Sequence, residues 1–526
     1  MKKLFLFLAL CPSLMFAQER IMLLADPHVL PQALIEADPD FDSYMTTQRK
    51  MLDLSEPIWN ALMDTAMKYH PDLVLIPGDL TRDGEAESHA MVSQSLGALQ
   101  QAGIRTLVIP GNHDNPGDDW EALYPGSYEN AEKDVNSLSY AVEPLNGLTV
   151  IGIAAKTNSD GSGSISDVTR AWVLEQADKA VEKGNTIIAM THWQLLEHFD
   201  KQGRMENACR LTDADAFRNE LLHHGVHLIL TGHFHVNSIT TYRDTLSAGL
   251  DSIVEISTGS PITYPCPFRW LTLSKDRSTI DVKTELITSL PDYPDLTAYS
   301  REWMRVHTSN LIPKLALRAF DTMYEMIDQV GVDYLMAGLG VSETTATMIL
   351  TALKGSLPKT DEEKIDLVQR HIGSTVVELY LLHSDANEPE HHEADSLAKA
   401  LYSGINAMMD EVTSQSIMLT MFDVQGLIGP MVMEKAKEPV QSLVEDKTHW
   451  KSKLHWDVTD DLWPLLVINE PQSHEGVENP SLQETGLKTI YEGQLRIERN
   501  GKKYNVLGTE VKLKREHLPE EFRAML

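Results

Sequence analysis

Five short apolar runs in this chain each end in the same kind of residue. "RIMLLA" is followed by Asp26-Pro27-His28 and "DLVLIP" by Gly78-Asp79. "RTLVIP" is followed by Gly111-Asn112-His113-Asp114, "NTIIAM" by Thr191-His192, and "VHLIL" by Thr231-Gly232-His233-Phe234-His235. Carboxylate, amide and imidazole donors suit first-row divalent metals such as Mn, Fe, Zn or Co. No thiolate stands among them, which argues against a closed structural zinc site. On an extended segment Asp-x-His and His-x-His each aim two side chains at one face, and Gly232 is expected to let the backbone turn there. Taken singly the motifs are ordinary: Gly-Asp is a common turn, Asn-His-Asp a polar loop, His192 a core histidine. Five in succession are not ordinary.

The elements that must position these residues can be read from the pattern around them. Short apolar runs bounded by Gly and Pro predict buried strands, and they alternate with helical segments. "EPIWNALMDTAMKYH" is one such helix, with Ser55 as its expected cap, and "EAESHAMVSQSLGALQQAG", "DVTRAWVLEQADKAVEKG" and "DADAFRNELLHHG" are others. This is an α/β pattern, and in open α/β sheets ligands bind at the carboxyl ends of the strands. After "VHLILTG" the chain reads as strands without helices, through "NSITTY", "DSIVEIST", "FRWLTLS" and "STIDVKTEL". The Pro-rich "SLPDYPDL" marks a boundary. Beyond it the sequence is mostly helical, with a capping box at Thr360 and Glu363 in "TDEEKIDLVQRHI". "YLMAGLGVSETTATMILTALKG" reads as packed helix interrupted by glycines, "EPEHHEADS" with His391 and His392 as a solvated loop, and the tail as a hairpin turning at "RNGK".

Length and charge bound the function. A chain of 526 residues exceeds one ordinary core, and 42% hydrophobic residues suffice for several. With 45 Lys and Arg against 77 Asp and Glu, the net charge of −32 disfavours binding to a nucleic-acid polymer. The start, "MKKLFLFLALCPSLMFAQER", has a basic n-region, a short apolar stretch and a cleavage point after Ala17. It reads as a secretory signal peptide rather than a membrane span, and predicts a periplasmic or secreted protein without a transmembrane segment. Cleavage removes Cys11 and leaves Cys209 and Cys266, either as one disulfide or as two thiols.

The ordered set Asp-x-His, Gly-Asp, Gly-Asn-His-Asp, a later His and Gly-His-x-His resembles the calcineurin-like metallophosphoesterase superfamily over roughly residues 19 to 285. The resemblance implies a two-sheet α/β sandwich and two divalent metal ions. By its pattern Asp26, His28, Asp79 and His235 hold one ion, and Asp79, Asn112, His192 and His233 the other, with Asp79 bridging. It also implies that His113, oriented by Asp114, stabilises or protonates the leaving oxygen, and that a hydroxide bridging the two ions attacks phosphorus in line. Two cations about 3.5–4 Å apart lower the pKa of water and neutralise developing charge, which lets an acidic protein take a phosphate ester.

Departures from named branches narrow the resemblance. Arg82 stands where purple acid phosphatases carry a metal-binding Tyr, and "GDLTRDG" differs from the pattern of the protein Ser/Thr phosphatases. The DNA-repair nucleases share Gly-Asn-His-Asp, but the acidic charge and the signal peptide disfavour them. "GDLTRDGEAESH", "VIPGNHD", "NSLSYAVEP" and "STGSPITYPCPFR" resemble exported bacterial phosphoesterases, including the cyclic-nucleotide phosphodiesterase-like group. Acid-sphingomyelinase-like enzymes also join this fold to a helical region, so a lipid-headgroup phosphodiester stays open beside a small-molecule ester. A third alternative is a non-catalytic protein that binds phosphate ligands on the same fold. The expected organisation is a signal peptide over 1–17, a catalytic domain over 18–290, a mostly helical domain over 291–480 and a β-hairpin tail over 481–526 packing on the rest. From position alone, Asn115, Tyr264 and Arg269 are candidate substrate contacts.

Overall fold

The computed structural model describes residues 18–430 apart from short gaps, the strand at 453–457, and three short strands between 487 and 504. The expected signal peptide lies outside the described residues.

The strands form in the order β1 (Glu19–Leu23), β2 (Leu73–Pro77), β3 (Arg105–Ile109), β4 (Glu132–Lys133), β5 (Tyr140–Leu145) and β6 (Leu148–Ile153). A small ribbon, β7 (Lys156–Thr157) and β8 (Gly163–Ser164), precedes β9 (Thr186–Thr191), β10 (Leu228–Thr231), β11 (Ser238–Arg243) and β12 (Ser252–Ser257). Next come β13 (Pro267–Leu273), β14 (Thr279–Leu286) and β15 (Lys453–Asp457). Two sheets result, ordered β15-β14-β13-β1-β2-β3 and β11-β12-β10-β9-β6-β5-β4. β1, β2 and β3 are mutually parallel, as are β6, β9, β10 and β12. β2 is buried at every position, as expected of a parallel strand covered on both faces.

The side-chain alternation of β9 shows how the layers stack. Ile188 and Met190 join the core shared with Ile21, Leu23, Leu75 and Leu107 of the first sheet. Ile187 and Ala189 point the other way, onto Val173 and Ala177 of helix Asp167–Lys183 and Phe217 and Leu221 of helix Ala214–His223. Two sheets therefore face each other, with helices on the outside, and both present carboxyl ends of parallel strands at one edge.

Helix Ser55–Tyr69 lies over the first sheet through Ile58, Trp59 and Leu62. Ser55 is not its cap. Leu54 holds that position, and the Ser55 Oγ instead accepts from Leu30 N at 2.9 Å and donates to Leu30 O at 3.3 Å. The hydroxyl thus ties the segment after His28 to the helix.

From Leu296 the chain is helical, with a core of its own that includes Phe320, Leu335, Ile349, Leu381, Leu401 and Leu419. The Thr360 capping box forms on both sides. Gly340, at φ 66°, ends helix Ile312–Leu339, and Ser342 caps helix Glu343–Ser356. His391 and His392, expected in a loop, begin helix His391–Ser414, because the apolar repeat of "SLAKALYSGINAMM" extends the helix back to them. After the helices, β15 pairs antiparallel with β14, so residues from the stretch read as helical widen the first sheet.

No helix among the described residues is long and apolar enough to cross a membrane. Cys209 and Cys266 are not joined in a disulfide. The residues from Asn469 onward form a separate unit, in which β16 (Leu487–Tyr491), β17 (Gln494–Arg499) and β18 (Lys502–Tyr504) make an antiparallel sheet. Arg499 pairs with Lys502 on either side of the expected turn.

Candidate metal centre

The five loops after β1, β2, β3, β9 and β10 meet at one edge. Asp26, His28, Asp79 and His192 are essentially inaccessible there. Asp26, His28, Asp79, His233 and His235 all have positive φ, between 41° and 64°. Pairs read as extended Asp-x-His and His-x-His are thus corrected: each histidine and carboxylate is turned inward by a left-handed backbone, a conformation costing about 1–2 kcal/mol per residue. Main-chain bonds hold it, including His28 N to Asp79 O at 3.0 Å and Gly232 N to His192 O at 3.1 Å. Gly232 serves close approach rather than a turn, since a Cβ there would lie 2.5 Å from Asp26 Oδ2.

Two groups of donor atoms result. Asp26, His28, Asp79 and His235 place one donor atom each within 4.8 Å of one another, and Asp79, His192 and His233 do the same. Asp79 belongs to both: its Oδ2 lies 3.5 Å from His28 Nε2 and its Oδ1 3.4 Å from His192 Nε2. In the first group His28 Nε2 and His235 Nε2 face each other at 3.1 Å, and His235 Nε2 lies 3.6 Å from Asp26 Oδ1. His28 Nδ1 is buried with no hydrogen-bond partner among the described residues.

The tautomers of the second group follow from their outer partners. His192 Nδ1 donates to Pro77 O at 2.8 Å, and His233 Nε2 donates to Ala208 O at 3.1 Å. A carbonyl only accepts, so in neutral rings His192 Nε2 and His233 Nδ1 carry lone pairs. These two atoms are 3.2 Å apart. Asn112 Oδ1 sits 3.0 Å from His192 Nε2, and Asp79 Oδ1 beside it. Four acceptors then converge, and only Asp79 Oδ1 takes a main-chain N–H, from His113 at 2.9 Å, so the group suits a cation. A proton is the substitute: burial opposes charging His192, but Asp79 outweighs it and raises the imidazole to about 9. Burial and the neighbouring His192 push His233 down to about 3. Burial works against ionising Asp79, yet His192 and His28 hold its carboxyl well below the usual carboxylate range. The donor set, the fixed tautomers and the charge all fit two divalent ions.

His113 stands at the rim, with its ring edge-on to His28 at 4.8 Å between centroids. Its main-chain N–H donates to Asp79 Oδ1 at 2.9 Å. Its orienting partner is not Asp114. His113 Nδ1 bonds Asp83 Oδ1 at 2.8 Å, whereas Asp114 is wholly buried and accepts from Thr81 N, Thr81 Oγ1 and Gly111 N. Asp114 braces the loops that carry Asp79 and Asn112 and faces away from the imidazole. Burial, reinforced by Asp79, raises its carboxyl to about 6.

Sequence reading passed over two residues. Asp83 lies in the quoted "GDLTRDG", four residues after Asp79, but the acid adjacent to His113 drew the assignment. Lys50 lies in "QRKMLDL", with no motif to mark it, and interacts electrostatically with Asp79, Asp83 and Asp26. Of the candidate substrate contacts, Arg269 is buried in β13 and Tyr264 is buried with its hydroxyl donating to Asp385 at 3.0 Å. Asn115 is exposed, at φ 41°.

Residues 19–237 match the family model described as calcineurin-like phosphoesterase. A probable glycerophosphodiester phosphodiesterase GpdQ of Arcobacter nitrofigilis is 24% identical over 210 residues, which is 38% of this chain and 72% of that protein. A glycerophosphodiester phosphodiesterase GpdQ of Enterobacter lignolyticus is 29% identical over 126 residues, 24% of this chain and 43% of that protein. A solved dimetal phosphatase from Danio rerio aligns with 51% of this chain and 95% of its own at 14% identity, with a TM-score of 0.39. The domain at residues 19–237, whose strand ends assemble the donor set described above, is a calcineurin-like phosphoesterase domain, of the superfamily of metal-dependent phosphoric ester hydrolases.

Proposed function

We propose that this chain is an exported phosphodiesterase that works with two divalent metal ions, one held by Asp26, His28, Asp79 and His235, the other by Asp79, Asn112, His192 and His233. The observation that carries the reading is Asp79, whose two oxygens face two separate groups of donors. When bound, the ions supply activated water and positive charge for the phosphate oxygens. The chain's own residues do the rest. His113 reaches the rim with one ring nitrogen committed to Asp83, so Nε2 is free to give a proton to the leaving alcohol. Asp83 fixes the direction of the ring. Asp114 keeps the two loops in register.

A diester of a small or lipid-headgroup alcohol is the favoured substrate class, because both curated relatives are named as glycerophosphodiester phosphodiesterases. Export rests on the sequence "MKKLFLFLALCPSLMFA", and the amino-terminal residue of the protein recovered from fractionated cells tests it: Gln18 supports export, Met1 in the cytoplasm opposes it.

A panel of esters tests the activity. Bis-p-nitrophenyl phosphate, p-nitrophenyl phosphate, cyclic nucleotides, a glycerophosphodiester and a choline phospholipid are offered with Mn(II). Diester cleavage lost in His113→Ala and Asp79→Asn supports the reading. Metal binding without turnover on any ester favours a phosphate-binding protein instead.

A further inference from the structure

The segment around Lys50 is fixed from two directions. On the core side Met51 is fully buried and its N–H donates to Ile262 O at 2.8 Å. On the other side the helical region holds three residues of the same segment. Asn310 Nδ2 donates to Thr46 O at 2.8 Å, Trp303 Nε1 donates to Gln48 O at 3.2 Å, and the Arg49 guanidinium lies over the Tyr380 ring at 5.6 Å. The same region reaches the metal edge again at His383, whose ring meets Phe234, between His233 and His235, at 5.4 Å. Held in this way, the half-buried Lys50 lies within electrostatic reach of Asp79, Asp83 and Asp26 and of His28 and His235.

A lysine in that position has a physical consequence. Once Asp26 and Asp79 are neutralised by divalent ions, the ammonium faces positive charge and favours an anion between itself and the ions. A phosphate oxygen supplies that charge, and a lysine binds it as a compact point charge. We propose that Lys50 is a positioning residue for the substrate phosphate, delivered to the metal edge by the helical region. The inference rests on the phosphoesterase reading above and deepens it by giving the helices a part in substrate binding.

The test uses the full mature chain loaded with Mn(II) and follows inorganic phosphate binding by calorimetry, with KM and kcat for bis-p-nitrophenyl phosphate alongside. Lys50→Met is expected to weaken phosphate binding and raise KM about tenfold, with kcat changing less and metal content unchanged. Lys50→Arg is expected to recover most of the affinity, and Tyr380→Ala, which frees the clamp, to fall between. If Lys50→Met does not fold, Lys50→Gln carries the same comparison. Phosphate binding equal to wild type in the neutral variants, whether or not Mn(II) binds more tightly, would show that Lys50 only stands in for a missing cation and would overturn the inference. Wild-type protein that takes up Mn(II) but binds no phosphate would instead bring down the phosphoesterase reading itself.

Discussion

His113 Nδ1 and Asp83 Oδ1 are 2.8 Å apart, while the carboxylate of Asp114, the residue next to His113, is bound to Thr81 and Gly111. The two acids near the proposed proton donor therefore have different tasks. Asp83 governs its direction, and burial of that carboxyl is outweighed by the bond to His113, which lowers the pKa of Asp83. Asp114 governs the loops.

These tasks separate in kinetics. Asp83→Asn is expected to lower kcat by roughly tenfold to a hundredfold, with metal content unchanged. Steady-state rates from pH 5 to 9 with metal analysis check it. An unchanged kcat would leave Asp83 without an orienting role at His113.

Asp114→Asn is expected to act on stability first. Its three acceptor contacts come from donors, and an amide NH2 turned toward one of them leaves a buried donor unpaired, costing about 1–3 kcal/mol. Chemical denaturation of the wild type and variant measures this. An Asp114→Asn protein as stable as wild type but catalytically dead would return Asp114 to the chemistry.

Metal uptake should release protons. His192, raised to about 9, is charged at neutral pH in metal-free protein, and an ion needs its Nε2 lone pair. Calorimetric titration at pH 7 in two buffers of different ionisation enthalpy should show close to one proton leaving with the ion bound at His192. The sign of the stability effect follows: a histidine raised above its unfolded value of about 6.5 stabilises metal-free protein fully below pH 6.5, and that contribution disappears as pH rises through about 9.

Gly232→Ala should disable the centre without touching a donor. Its Cβ would stand 2.5 Å from Asp26 Oδ2, so Asp26 or the β10 loop must shift. A displacement of that size is expected to cost on the order of a hundredfold in activity, with weaker binding of one ion. Normal metal content and rate in this variant would contradict the close packing of Asp26 on the β10 loop.

Much of this site was legible because it is built from strand ends. The apolar runs give the strands, the strands order the motifs, and Asp26, His28, Asp79, Asn112, His192, His233 and His235 lie together at one edge. What pattern cannot carry is local backbone conformation and long-range approach. The period-two reading of His233 and His235 missed their left-handed φ, which depends on bonds to His192 and Asp26 from distant segments. Asp83 was hidden by a nearer acid, and Lys50 depends on helices about 250 residues away in sequence. β15 returning to the first sheet is likewise a pairing that no local signal announces.

The most direct measurement is a titration of metal-free protein with Mn(II) while bis-p-nitrophenyl phosphate hydrolysis is followed. The account predicts that activity appears only as the second ion is taken up, and that Asp79→Asn, which spoils both groups of donors, binds less Mn(II) and stays inactive. Full activity at one ion per chain, or activity that ignores Mn(II) and survives Asp79→Asn, would contradict it.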